Sequence, residues 1–288
     1  VSSVIAEAIK MDDTTDIFDN IKGIPYYIPS GHAFLDKLIS GKPTGGGYPG
    51  GRFIEVFGAP AHGKTTLAIH ALAQMQKMGG VAVLIDSECA IDINRCRSLG
   101  VDTSKLIIVR LNTLESIFDK IEKLINLFVA KNVKALIVWD SIAGTTTEVE
   151  DEADYKAQTY GLHARLMSRS LRKIIYQLWD KDVTLIATNQ AKTNIENPWE
   201  PATLGGESPK FYASVRLQVK KVGFVNDTVE GSFTPTQNLG IITEISTVKN
   251  KITMPFRKYK ASIMYKDGLS ETYDIAEFLL NKGIITKS

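Results

Sequence analysis

One stretch constrains the fold of this chain more than any other: Gly58-Ala59-Pro60-Ala61-His62-Gly63-Lys64-Thr65. It satisfies the phosphate-loop pattern G-x-x-x-x-G-K-[ST] at every fixed position. The spacing answers a physical problem. A triphosphate needs a ring of backbone N–H donors that side chains do not obstruct. Gly58 and Gly63 allow the tight turn and the close approach. Lys64 is spaced to meet the β- and γ-phosphates, and the Thr65 hydroxyl to sit on Mg2+. The flanks agree. Arg52–Phe57 reads as a buried strand and the run from Thr65 to Leu72 as a helix, so the phosphates meet a helix N-terminus. Strand, glycine loop and helix in that order point to an α/β architecture.

The rest of the chain repeats this alternation. Apolar runs at Val81–Asp86, Leu106–Leu111, Ala135–Asp140 and Val183–Thr188 are separated by helical stretches at Thr66–Met78, Leu114–Ala130 and Gly161–Trp179. The pattern predicts a mostly parallel central sheet with helices on both faces. From about Phe211 it changes to strands joined by turns, at Ser214–Val222, Gly240–Val248 and Lys260–Tyr265. These read as an antiparallel C-terminal extension, closed by a helix near Tyr273–Lys282. Gly41–Gly51 reads as a loop. Residues 1–30 read as a short helical N-terminal segment for oligomerisation, and residues 31–288 as the core.

A chain of 288 residues with 44% hydrophobic content suits one large α/β domain. No apolar run approaches the ~20 residues that span a bilayer. Glu7, Lys10, Asp12 and Asp13 interrupt any signal-peptide core. Cys89 and Cys96 lack metal-site or disulfide spacing and read as buried thiols of a cytoplasmic protein. The net charge of +2 carries no global sign of nucleic-acid binding, so any such binding must be local.

Three strand ends supply the rest of a nucleotide site. Ala135–Asp140 ends in Asp140, whose carboxylate would support the Mg2+ shell through water. Val81–Asp86 runs into Ser87-Glu88 at the carboxyl edge, where ligands bind in open α/β sheets. Glu88 is the candidate to polarise an attacking water, and Asp86 reads as structural. Val183–Thr188 continues into Asn189-Gln190. An amide at Gln190 can hydrogen-bond a γ-phosphate and report its loss.

With these residues in place, the chain resembles the RecA-type DNA recombinases, in their bacterial branch. The resemblance rests on the phosphate loop, Asp86–Asp92, Leu99–Asp102, Gly161–Lys173, Thr188-Asn189-Gln190, Gly205-Gly206, Lys210–Arg216, Lys249–Ile252 and Pro255-Phe256. It covers the chain from about residue 30 to its end. It implies a P-loop RecA-like ATPase core with ATP and Mg2+ as cofactors. It also implies helical self-assembly on single-stranded DNA, strand exchange with a homologous duplex, and DNA-stimulated ATP hydrolysis. By position, Gly58 to Thr66 resemble the phosphate-binding residues, and Asp92, Arg95 and Tyr265 fall at base-contacting positions. Glu88 resembles the catalytic glutamate, and Gln190 the residue coupling nucleotide state to DNA grip. Lys249 and Lys251 resemble a pair that crosses to the neighbouring subunit's ATP. Their i,i+2 spacing puts both on one side of an extended chain, where they would act as an arginine finger does. Phe211 resembles a subunit-interface residue.

DNA contacts are expected on the helix after Gly161. Met167, Leu171, Ile174 and Leu178 form its buried stripe, while Arg165, Arg169 and Arg172 form an outward cationic stripe suited to phosphates. The resemblance adds Ser168 and gives Arg169 a normally neutral position. The loop Thr147–Tyr160 is acidic and should touch DNA mainly through its C-terminal end. The loop Ala191–Gly206 carries Lys192, Asn194, Trp199 and a Gly205-Gly206 hinge. It is expected to be disordered until DNA binds, with Trp199 stacking on or wedging between bases.

Three departures from the family pattern stand out. Arg95 replaces a usual Tyr that stacks on adenine, which leaves base preference open. Lys220 and Lys221 keep one basic pair of a second, duplex-binding site, but Glu244 and Ser246 replace further cations. The chain stops at Ser288, so the expectation is a minimal, divergent form of the kind phages carry, without the C-terminal domain. Two other readings share the core: a hexameric RecA-fold DNA helicase and a non-catalytic ATP-binding recombination mediator. Lys249–Ile252 and Lys210–Arg216 argue against the first. Lys64, Thr65, Glu88 and Asp140 argue against the second.

Overall fold

The computed structural model describes residues 23–152, 161–192, 202–226 and 237–286. In chain order it contains β1 (Tyr27–Ile28), α1 (Ala33–Ser40), β2 (Tyr48–Pro49), β3 (Phe53–Gly58), α2 (Lys64–Lys77), β4 (Val81–Asp86), α3 (Ile93–Ser98) and β5 (Leu106–Val109). There follow α4 (Leu114–Ala130), β6 (Ala135–Asp140), a 3-10 turn (Ile142–Gly144), α5 (Glu148–Glu152), α6 (Leu162–Leu178), β7 (Val183–Lys192), β8 (Ala202–Thr203) and α7 (Ser208–Tyr212). The chain continues through β9 (Val215–Asn226), β10 (Asn238–Asn250), β11 (Lys258–Met264), β12 (Gly268–Leu269) and α8 (Glu271–Asn281).

Among the described residues one large sheet runs in the order β12-β11-β10-β9-β3-β7-β6-β4-β5, with β8 paired to β7. From β9 to β5 the strands are parallel, and β10, β11 and β12 extend it antiparallel. The central strands β4 and β6 read as unbroken apolar runs up to their closing Asp because they are buried on both faces. Successive side chains enter opposite cores. Ile54, Val56, Leu84 and Val138 pack with α1 and α2, and Phe53, Val83, Ile137 and Trp139 with α4 and α6. Met167, Leu171, Ile174 and Leu178 are the buried residues of α6, as the spacing predicts.

The structure refines several expectations. Tyr26 and Ile28, within the expected N-terminal segment, are buried in the α1–α2 core, and β1 pairs with Tyr48–Pro49 inside the expected loop. The acidic loop opens as a short helix, α5. Thr147 and Glu150 cap it reciprocally: the Glu150 N–H donates to Thr147 Oγ1, and the Thr147 N–H to Glu150 Oε2. Cys96 is buried, but Cys89 is exposed, contrary to expectation. It lies in the turn that leaves the sheet after β4, with φ 52°. Asn194 and Trp199 lie outside the described residues.

Candidate nucleotide and nucleic-acid site

β3 delivers the chain to the carboxyl edge of the sheet and ends at Gly58, level with Gln190 on β7 and Val219 on β9. A Cβ at Gly58 would stand 2.2 Å from the Val219 carbonyl oxygen, so only glycine lets the loop leave this crowded edge. Gly63 has φ +99° and opens the fourteen-residue helix α2. Between them Lys64 Nζ donates across the loop to the Ala59 carbonyl at 2.9 Å. Burial lowers the Lys64 pKa, opposed by the charges of Asp140 and Glu88.

Neighbouring strand ends complete the pocket. Thr65 Oγ1 donates to Asp140 Oδ2 at 2.8 Å, and Thr188 Oγ1 donates to Asp140 Oδ1 at 2.5 Å. Burial pushes the Asp140 carboxyl above the usual carboxylate range, against those two hydroxyls. Glu88 is exposed beside it and accepts a hydrogen bond from Ser141 Oγ. Asp86 is spent on structure: its oxygens accept the Ala90 and Ile91 N–H groups at 3.3 Å. Gln190 is half-buried at the same edge, its N–H held by Asn189 Oδ1 at 2.9 Å. A helix N-terminus, a cation and hard hydroxyl and carboxylate oxygens form the donor set that fits a triphosphate with Mg2+.

Beside the loop lies a cleft of about 270 Å³ lined by Ala61, Gly63, Lys64, Thr65, Thr66, Arg95, Ile241, Ile263 and Tyr265. Arg95 Nη1 donates to the Tyr265 carbonyl at 2.6 Å and the Lys266 carbonyl at 2.8 Å. Asp92 does not line this cleft. Its Oδ1 caps α3 by accepting the Asn94 N–H at 2.8 Å, a local bond that an Asp just before a helix commonly makes. A larger cleft, about 430 Å³, lies by Arg52, Trp179, Tyr212 and Lys251. It contains no phosphate loop, so the smaller cleft is the candidate nucleotide site.

Lys249 and Lys251 stand away from this cleft. Lys249 is level with Arg216 and Glu55, and the Lys251 N–H bonds the Ser214 carbonyl. Ser214 is five residues along the chain from Val219, about 16 Å of extended strand. β10 ends at Asn250, so Lys251 lies just beyond the strand, close enough for its charge to act on Lys249. Lys249 Nζ donates to the Lys210 and Phe211 carbonyls at 2.5 and 2.8 Å. Burial, then Lys251 and Arg216, bring its pKa down to about 8. Phe211 is 67% exposed beside it, and Met254 and Phe256 are exposed in the segment that follows.

The candidate DNA face is carried by α6 and the turn packed against its start. Arg165, Arg169 and Arg172 are exposed on α6 and Ser168 is half-buried. They are not one uniform stripe. Arg169 lines a groove with Glu115, Asp119 and Glu122 of α4, whereas Arg172 Nε donates to the Tyr212 hydroxyl at 3.1 Å. Gly205 and Gly206, with φ +86° and +70°, turn the chain against the start of α6; a Cβ on Gly206 would stand 3.1 Å from Ala164 Cβ. The Leu204 carbonyl accepts Asn189 Nδ2 at 2.8 Å, tying this turn to the end of β7. The backbone of Lys192 pairs with Ala202 across the β7–β8 ladder. Lys220 is exposed and Lys221 half-buried on β9.

Sequence reasoning missed Ser141 and Thr188, whose partners lie on adjacent strands. It also missed the buried pair Arg216 Nε to Glu55 Oε2 at 2.5 Å, with Asn189 Nδ2 on Glu55 Oε1 at 2.9 Å. A glutamate inside the apolar run Phe53–Phe57 was the available signal, since a buried acid needs a partner. Lys258 and Lys260 were not singled out in the sequence, and Lys258 Nζ donates to Glu244 Oε1 at 3.2 Å. They are exposed on β11 directly opposite Ser246 and Glu244, the positions that depart from the family's cations.

A model of the RecA N-terminal domain matches residues 25–270. The chain belongs to the RecA family. Protein RecA of Mycoplasma mycoides is 36% identical over 263 residues, covering 90% of this chain and 71% of its own length. Protein RecA of Corynebacterium diphtheriae is 38% identical over 263 residues, covering 91% and 67%. Protein RecA of Porphyromonas gingivalis is 37% identical over 265 residues, covering 91% and 73%. As a RecA-type protein the chain is an ATP-dependent DNA recombinase and a DNA-dependent ATPase, with ATP and Mg2+ as cofactors and single- and double-stranded DNA as partners. Among the described residues no helix is long and apolar enough to cross a membrane.

Proposed function

We propose that this chain assembles head to tail as a helical filament on single-stranded DNA and catalyses homologous pairing and strand exchange in the cytoplasm. Each ATP site would be completed by the next subunit. The observation that carries this reading is the separation of Lys249 and Lys251 from the phosphate loop of their own chain. A lysine side chain, about 6 Å long, does not bridge some 16 Å of strand. The two cations sit among exposed Phe211, Met254 and Phe256, where a neighbouring copy has apolar surface to cover. Residues before Pro25 are assigned to the oligomerisation segment.

Within the site, Lys64 and the loop amides hold the phosphates. Thr65, and Asp140 through water, would hold Mg2+, which supplies charge neutralisation to the phosphates. Glu88 polarises the attacking water, held in place by Ser141. Lys249 and Lys251 of the neighbour stabilise charge developing in phosphoryl transfer. Gln190 senses the γ-phosphate. The Asn189 bond to Leu204 gives that sensor a direct connection to the Gly205-Gly206 turn and to the DNA face with Arg165, Ser168 and Arg172. Arg169, Lys192, Asn194, Trp199, Lys220 and Lys221 are assigned to DNA contacts around that face.

The test is an ATPase assay with single-stranded DNA, combined with electron microscopy of the same samples. Helical filaments that need nucleotide are expected. Closed six-fold rings without filaments would favour the helicase reading, and no turnover at saturating DNA would favour the non-catalytic one.

A further inference from the structure

The base wall of the cleft has an unusual polarity. The turn from β11 to β12 presents the Tyr265 and Lys266 carbonyls toward α3. Bare carbonyl oxygens only accept hydrogen bonds, so such a wall would select a base with an amino group at its edge and disfavour one with a carbonyl. Here both oxygens are taken by Arg95 Nη1, at 2.6 and 2.8 Å, with Ser98 Oγ a further 3.4 Å neighbour. Arg95 Nε and Nη2 bond no other group among the described residues. Arg95 and Tyr265 line the same cleft, over an apolar floor of Ile241 and Ile263. The Tyr265 N–H is fixed to the Leu239 carbonyl at 2.9 Å, which holds the turn in place.

Resting on the nucleotide reading of this cleft, we propose that Arg95 turns an acceptor wall into a donor wall, so that the site takes guanine nucleotides about as well as adenine nucleotides. A guanidinium is always protonated and offers N–H groups in a planar fork. Guanine presents O6 and N7 as two acceptors on one edge and matches that fork. Adenine presents only N7 there, beside a 6-amino group that is itself a donor. Each carbonyl that would have welcomed the 6-amino group already accepts an N–H from the fixed Arg95 cation, which stands between it and the base. Arg95 is thus a specificity residue that touches the base and leaves phosphate binding to Lys64 and Thr65.

The experiment is equilibrium binding of fluorescent mant-ATP and mant-GTP, each with Mg2+, to the full chain and to Arg95→Met, without DNA and without a turnover readout. Methionine keeps a long apolar stem but frees both carbonyls. Wild-type affinities are expected to agree within about threefold, and Arg95→Met to shift the ratio toward ATP by about tenfold, the factor given by one net hydrogen bond. A wild-type preference for ATP beyond about tenfold, or an unchanged ratio in Arg95→Met, overturns the proposal. Lys64→Ala is the control. If wild type binds neither nucleotide, or Lys64→Ala binds both normally, the site reading itself falls, which differs from a wrong ratio. Circular dichroism of Arg95→Met confirms that the comparison is made on folded protein.

Discussion

Glu88 shows how one residue's task depends on a neighbour that no motif names. Its carboxylate accepts the Ser141 hydroxyl, and Ser141 directly follows Asp140 at the end of the adjacent strand. Glu88→Gln should still bind ATP and DNA, but hydrolyse about 10²-fold more slowly and give longer-lived filaments. Ser141→Ala should slow turnover by a smaller factor, about tenfold, because the base is present but unheld. Steady-state ATPase on single-stranded DNA checks both, and wild-type turnover by Glu88→Gln would mean that the base is another residue. Lys64, Thr65 and Asp140 were legible in the sequence because the phosphate loop fixes its own spacing and an acid ending an apolar strand is conspicuous. Ser141 and Thr188 were not, because their partners are set by which strands lie side by side. The cap role of Asp92 was not legible, because the six-residue helix that it opens is too short to show a period, and the resemblance alone assigned Asp92, to the base.

At the scale of elements, the long strands and helices were readable because their apolar periods run over many residues. β1, β2 and β8 were not, since a two-residue strand exists only through its pairing partner. α5 had a readable signal in Thr147-x-x-Glu150. Contacts between elements also carry pH dependence. His70 on α2 accepts the Leu269 N–H of β12 at 2.9 Å through Nε2. Burial, then Arg95 and Lys77, lower its pKa from 6.5 to about 4. The folded state therefore binds fewer protons than the unfolded chain between these values. The contribution is fully present above pH 6.5 and is lost as pH falls through about 4, at most about 3 kcal/mol. His70→Gln keeps an acceptor that does not titrate, so its urea midpoint should fall less between pH 7 and 4. Equal losses in the two proteins would remove His70 from the acid response. On α6, Arg172→Ala should weaken DNA binding and make its salt dependence shallower by about one unit of slope. An unchanged slope would move Arg172 off the phosphate path and leave it as a partner of Tyr212.

Across the whole molecule, the sheet sets two groups of proposed site residues apart along its strands. Its carboxyl edge holds Gly58, Asp140, Glu88 and Gln190, and further back along β9 and β10 lie Arg216 and Lys249. The buried set Asn189, Glu55 and Arg216 joins the two regions through β7, β3 and β9. The periodic runs made the fold class readable, but not this distance, which follows only from the pairing of β9 with β3. The distance makes an ATP site shared between copies the central claim. Mixing two defective chains tests it most directly. Glu88→Gln retains Lys249 and Lys251, while Lys249→Ala/Lys251→Ala retains Glu88. Each alone should hydrolyse ATP poorly on single-stranded DNA. In a random head-to-tail array of equal amounts, about a quarter of junctions join the two intact halves, so turnover should recover toward that fraction of wild type. Turnover no higher than the average of the two variants alone would contradict a site built from neighbouring subunits.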